Sequence, residues 1–154
     1  MTSPVQLEFA EPRWRKLRGL SPRLTLAGER ALKKVKAPRK ASLTILLAGD
    51  SALRDLNRDF RGLDKPTNVL SFPAAANDRG YLGDIAIAYG VTQAEAKKSG
   101  KRLADHAAHL VVHGVLHLLG YDHEREDEAR AMEALEVTIL AGLGIADPYR
   151  VEAA

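Results

Sequence analysis

Apolar and polar residues alternate along VQLEF, residues 5–9, and that period of two predicts a half-buried strand. In SPRLTLAGERALKKV the period lengthens: Leu24, Ala27, Ala31 and Val35 recur at helical spacing. Ser21 stands in the N-cap position of that helix and Pro22 at its first turn, where a missing N–H costs nothing. SLTILLA is a short, nearly continuous apolar run and predicts a buried strand. Asp50 then caps a short helix with Leu53, Leu56 and Phe60 on one side. The turn-rich RGLDKPTN leads into a strand around Val69–Phe72, and LGDIAIAY predicts another. Helices follow at about Thr92–Lys98, Arg102–Leu119 and Glu126–Ala141, closed by Ser99–Gly100, Gly120 and Gly142. About four strands and five or six helices, with helices gathered at both ends, indicate an α+β fold.

Composition adds bounds. A chain of 154 residues, 45% hydrophobic and with no long linker, suits one domain with one core. The absence of cysteine excludes disulfides and thiolate metal sites. No apolar run is long enough for a signal peptide or a membrane span, so the expectation is a soluble, cytoplasmic protein with no membrane partner. Net charge is only +3, but residues 1–40 carry eleven Lys/Arg against three acids, and residues 121–154 three against nine. A basic first third suits contact with phosphate backbones, and equally an ordinary solvated helix face.

The chemistry concentrates in HGVLHLLGYDH, residues 113–123, which has the spacing H-x-x-x-H-x-x-G-x-x-H of certain zinc peptidases. The helix carrying it is apolar nearly all round and predicts burial. At 100° per residue His113 and His117 are about 40° apart on one face, so their imidazoles converge on one ion. Gly120 ends the helix in the left-handed conformation, and His123 returns as a third ligand. Three nitrogen ligands leave one tetrahedral position for water, as in catalytic zinc sites. His106 and His109 share the stripe and read as packed or supporting residues. Glu124, Glu126, Asp127 and Glu128 sit where the last helix begins, and the helix dipole accounts for them.

Those peptidases carry a glutamate after the first histidine, where this chain has Gly114. Zinc alone lowers the pKa of its water toward ~7, but peptide hydrolysis also needs a proton donor for the leaving amine. A phosphodiester makes a different demand, since stabilising its developing negative charge is most of the task. A guanidinium suits that role. Arg61, at the end of a short helix before GLDKPTN, is the candidate, although a helix-terminal arginine is also a common surface feature.

FRGLDKPTNVLSFP, LGDIAIAY and HGVLHLLGYDH, in that order, resemble the three successive motifs of the YbeY family of bacterial endoribonucleases and ribosomal RNA maturation factors. The resemblance runs from about residue 50 to 140. It implies a small mixed β-sheet with helices and a metal cleft, and one Zn2+ held by His113, His117 and His123. It also implies that Arg61 is functionally important, and that the substrate is a small-subunit (16S) ribosomal RNA precursor. The partners it implies are the small ribosomal subunit or its assembly factors. The leading expectation is a single domain over 1–154: a zinc-dependent, single-strand-directed endoribonuclease in ribosomal RNA maturation and ribosome quality control. Its nucleophile is the metal-bound water, and Arg61 holds the scissile phosphate. The alternatives are an assembly or RNA-binding factor with a structural zinc, and a metallopeptidase. Asp84 of LGDI matches the family too, either as hydrogen-bond acceptor for a ligating histidine or as a locally satisfied strand residue.

Overall fold

Parallel strands need a crossover, and the chain begins with one. Strand β1 (Val5–Phe9) is followed by a 3-10 turn (Pro12–Lys16) and helix α1 (Leu20–Lys34), which return the chain to β2 (Ser42–Ala48), parallel to β1. Helix α2 (Asp50–Arg61) precedes an antiparallel pair, β3 (Val69–Pro73) and β4 (Tyr81–Ala88). β4 pairs with β2 in parallel, giving a four-stranded mixed sheet of order β1-β2-β4-β3. Three helices complete the fold: α3 (Tyr89–Lys98), α4 (Leu103–Leu118) and α5 (Glu126–Ala141). The structure, a computed structural model, describes residues 3–150. Among these, no helix is long and apolar enough to cross a membrane.

Strand alternation divides the interior in two. Leu43, Ile45 and Leu47 of β2 and Ile85 and Ile87 of β4 face α1 and α4 and form the main core. Ala48, Leu70, Ala86 and Ala88 face the other way and pack on Leu53 of α2. The main core fixes α4 closely. A Cβ on Gly114 would lie 2.8–3.0 Å from three side-chain atoms of Ile85, so only hydrogen fits between helix and sheet there. The 3-10 turn was not foreseeable from periodicity, because Trp14 alone of its five residues is buried. The Trp14 indole donates to the Ala48 carbonyl at 2.9 Å.

Two caps differ from expectation. Ser21 lies inside α1, whose N-cap is Gly19 at φ 75°; burial of Leu20 extends the helix backward. Asp50 is the first residue of α2 rather than its cap, and its Oδ1 accepts the Val91 N–H in the first turn of α3 at 3.0 Å. That borrowed acceptor satisfies a helix-end donor that the local sequence leaves open, and α3 starts at Tyr89, three residues before Thr92. Phe60, expected beside Leu53 and Leu56, is 69% exposed and stands edge-on to Phe72, with ring centroids 5.2 Å apart.

Candidate metal centre

Helix α4 turns its apolar residues toward the sheet and leaves a histidine stripe on the side facing α5 and β3. Its end is closed by two backbone bonds, Gly120 N–H to the His117 carbonyl and Tyr121 N–H to the Leu116 carbonyl, both 3.0 Å. With Gly120 at φ 97°, this is a Schellman closure, and it reverses the chain. Asp122 Oδ1 then accepts the His123 N–H at 2.7 Å and shapes the turn that brings His123 back.

His113, His117 and His123 come together as the motif spacing required. One ring nitrogen from each lies within 4.8 Å of the others. His113 Nε2 and His117 Nε2 are 3.1 Å apart. Two nitrogens bound at ~2.0–2.1 Å to a tetrahedral ion stand roughly 3.4 Å apart, so this pair already has ligand spacing. His123 is the exposed member, on the loop, and the residues present fit a divalent ion with imidazole preference. Burial, and then the charges of His113 and His123, hold the His117 pKa below the usual histidine range, which keeps a nitrogen lone pair available near neutral pH.

Behind the cluster lies a residue that motif spacing did not reveal. Glu136 of α5 is fully buried, and its Oε1 accepts the Nδ1–H of His113 at 2.8 Å. This bond fixes the His113 tautomer and leaves Nε2 bare for the ion. Glu136 Oε1 also lies 3.3 Å from His109 Nε2, and Oε2 accepts the Tyr149 hydroxyl at 2.6 Å. Burial opposes ionisation of Glu136, but the bonds from His109, His113 and Tyr149 outweigh it and hold its pKa down to about 2. Burial, followed by the neighbouring Glu136, pushes the Tyr149 hydroxyl well above the usual tyrosine range. A signal for Glu136 existed in the sequence: it stands in the α5 stripe of Met132, Ile139 and Leu140, where a carboxylate is out of place unless partnered.

The other candidates separate cleanly. His109 points at Glu136 and Tyr149, and His106 Nε2 pairs with Glu95 Oε1 at 2.9 Å, so neither joins the cluster. Asp84 does not support a histidine. It lies on the sheet face opposite α4, one residue out of phase with Ile85, where it accepts the Tyr81 hydroxyl. The acids opening α5 are satisfied at the surface, with Arg125 near Asp127 and Glu128 and Arg130 near Glu126. Arg61 is the exposed last residue of α2, on the far face of the sheet from α4, and the structure does not bring it into the cluster. Among the described residues it makes no ion pair. The segment after it, 62–68, leads into β3, whose Ser71 hydroxyl reaches the Gly114 carbonyl at 3.4 Å.

A cavity of about 520 Å³ opens from His113, past His109 and His106, to Lys98 and Lys101 at the α3–α4 turn. Its remaining walls include Asn68 and Val69 of the edge-strand side and Tyr149.

The chain is similar to known proteins over most of its length. A family model described as Endoribonuclease YbeY matches residues 19–144. Among curated relatives of that description, one from Paramagnetospirillum magneticum is 55% identical over 115 residues, covering 70% of each chain. One from Alkalilimnicola ehrlichii is 56% identical over 117 residues, covering 73% of this chain and 70% of its own. One from Maricaulis maris is 45% identical over 145 residues, covering 94% and 91%. The solution structure of a Thermotoga maritima protein matches with a TM-score of 0.58 at 23% identity, over 96% of this chain and 99% of that one, and shows the same fold.

Proposed function

The chain belongs to the YbeY family, and on that premise we propose that it is a zinc-dependent endoribonuclease acting on small-subunit ribosomal RNA. Its setting in this reading is the cytoplasm, in ribosome maturation and quality control. The observation that carries the metal dependence is the three-imidazole cluster, with one ligand oriented by a buried carboxylate and no fourth protein ligand among the described residues. An open position is the mark of a catalytic rather than a structural site. That arrangement disfavours an assembly factor whose zinc only braces the fold, since His109, the nearest spare imidazole, is directed at Glu136 and Tyr149.

In this mechanism His113, His117 and His123 hold the ion. When bound, the ion supplies an acidified water and a positive centre for phosphate oxygens. Glu136 keeps His113 in the tautomer that presents Nε2. Arg61 holds the scissile phosphate, its planar fork unengaged by any acid in the described structure. That role rests on the family resemblance, because the structure leaves Arg61 on the sheet face opposite α4.

Gly114 weighs against a peptidase on physical grounds. Residue 114 faces Ile85, so a glutamate there would point into the sheet and could not fit. Glu136 does not substitute for it. Its bond is to Nδ1, on the side of the His113 ring away from Nε2, and a carboxylate with a pKa of about 2 is a weak base.

The test is cleavage of a small-subunit ribosomal RNA precursor by the purified chain and by His117→Ala, each with chelator and then with zinc restored. Cleavage that requires His117 and returns with zinc supports the reading. Tight zinc binding with intact RNA would overturn it in favour of the assembly factor, and equal cleavage by both proteins would assign the activity to a contaminant.

A further inference from the structure

The cavity beside His113 has a polarity that matches one ribonucleotide. Lys97, Lys98, Lys101 and Arg102 place four cations within six residues around the α3–α4 turn, and among the described residues no acid pairs with any of them. Lys98 and Lys101 line the cavity itself. Midway, Glu95 Oε1 accepts both the Asn68 amide at 3.0 Å and the His106 Nε2–H at 2.9 Å, leaving Oε2 without a partner. A carboxylate oxygen there repels a phosphate and accepts a hydroxyl. At the inner rim, Tyr149 is held edge-on to His109 with ring centroids 5.5 Å apart, and its hydroxyl is fixed on Glu136. The volume of 520 Å³ falls within the ~300–1,000 Å³ of sites that enclose one small ligand.

We propose that this cavity seats an unpaired nucleotide of the RNA next to the scissile bond, with its phosphate on Lys98 and Lys101. Its 2′-hydroxyl donates to Glu95, and its base lies at the Tyr149 ring. The inference rests on the RNA reading above. It also gives that reading a physical basis for strand preference, since a nucleotide enters such a pocket only when unstacked and unpaired. Two lysines are point charges suited to a phosphate oxygen, and a rigid aromatic ring suits any base.

The experiment is anisotropy of a labelled 12-nucleotide single-stranded RNA with the full chain, in chelator so that the strand stays whole, across a salt series. Lys98→Ala/Lys101→Ala is compared with Arg30→Ala/Lys33→Ala, which removes two exposed cations from a separate groove between α1 and α5. The cavity pair is expected to lose tenfold or more in affinity at about 0.1 M salt. Its log–log salt slope should shrink by about 0.7, the change for one neutralised phosphate. The α1 pair should stay within twofold of the parent, Lys98→Arg/Lys101→Arg should recover most of the binding, and the matching DNA strand should bind several-fold more weakly. Equal losses from both alanine pairs, or none from the cavity pair, would overturn the assignment. If the unaltered chain does not bind RNA at all, the RNA reading itself fails, and the cavity assignment with it.

Discussion

Replacing Glu136 with glutamine changes charge at nearly constant shape, so it isolates what the buried carboxylate does. The carboxylate accepts from His113 Nδ1 and the Tyr149 hydroxyl and lies 3.3 Å from His109 Nε2. A glutamine can turn its carbonyl to His113 and its amide to Tyr149, and rotation of the hydroxyl satisfies the pair. No cavity forms and no donor need be orphaned. The loss is that of a charged acceptor: about 1.5–3 kcal/mol per bond becomes about 0.5–1.5. The bond to His113 bears on the metal, because a carboxylate raises the basicity of the ligating nitrogen across the ring. Loss of such an outer partner typically costs about 10–100-fold in metal affinity, or about 1.4–2.7 kcal/mol. The assay is competition for zinc against a chromophoric chelator at pH 7.5, with Tyr149→Phe as control, since that change leaves the His113 bond in place. Glu136→Gln is expected to fall in the 10–100-fold range and Tyr149→Phe to stay within threefold. Zinc affinity of Glu136→Gln within twofold of the parent would refute the orienting role, and an equal loss in Tyr149→Phe would move the effect from His113 to general packing.

Three further outcomes are expected. Gly114→Ala pushes a methyl against Ile85 and should cost about 1–3 kcal/mol, lowering Tm by roughly 2–4 °C per kcal/mol; the single tryptophan, buried Trp14, reports the transition by fluorescence, and an unchanged Tm would contradict the close approach. Arg61→Ala should reduce RNA cleavage by about 10²–10³ with zinc affinity unchanged, whereas parent-like cleavage would return Arg61 to the surface. Acid stability carries the third: the Glu136 pKa is lowered in the fold, so its contribution is present above the unfolded value of ~4.3 and is lost as pH falls toward about 2. That contribution is on the order of 3 kcal/mol, so urea midpoints of the parent should fall more steeply than those of Glu136→Gln between pH 5 and 2. Superimposable acid limbs would argue against a strongly held carboxylate.

The residues legible in the sequence were those whose partners lie close along the chain. His113, His117 and His123 are brought together by one helical turn and one glycine closure, both local, and their spacing encodes them. β1, β2, α4 and α5 were legible for the same reason, since a period of two or 3.6 is a local property. What depends on distant contact was not. Asp50 serves a helix residue 41 positions away in sequence rather than its own helix, so α3 starts earlier than its own residues indicate. Asp84 matched by motif, but strand parity puts it on the opposite face from α4, and the supporting carboxylate comes instead from α5. Glu136 was not singled out because only the acids at the start of that helix, Glu126, Asp127 and Glu128, draw attention as a group, whereas Glu136 lies in the buried stripe.

The order in which the centre's parts occur along the chain has a consequence for the cell. Among the described residues all four strands precede residue 89, whereas the candidate ligands begin at His113, the third arrives at His123, and the carboxylate that orients the first arrives only at Glu136. A growing chain therefore acquires its sheet before it acquires any metal-binding power, and its last helix before that power is tuned. If RNA is the substrate, such a protein is translated amid the very polymer it cuts, and its centre is incomplete until residue 136 has been added.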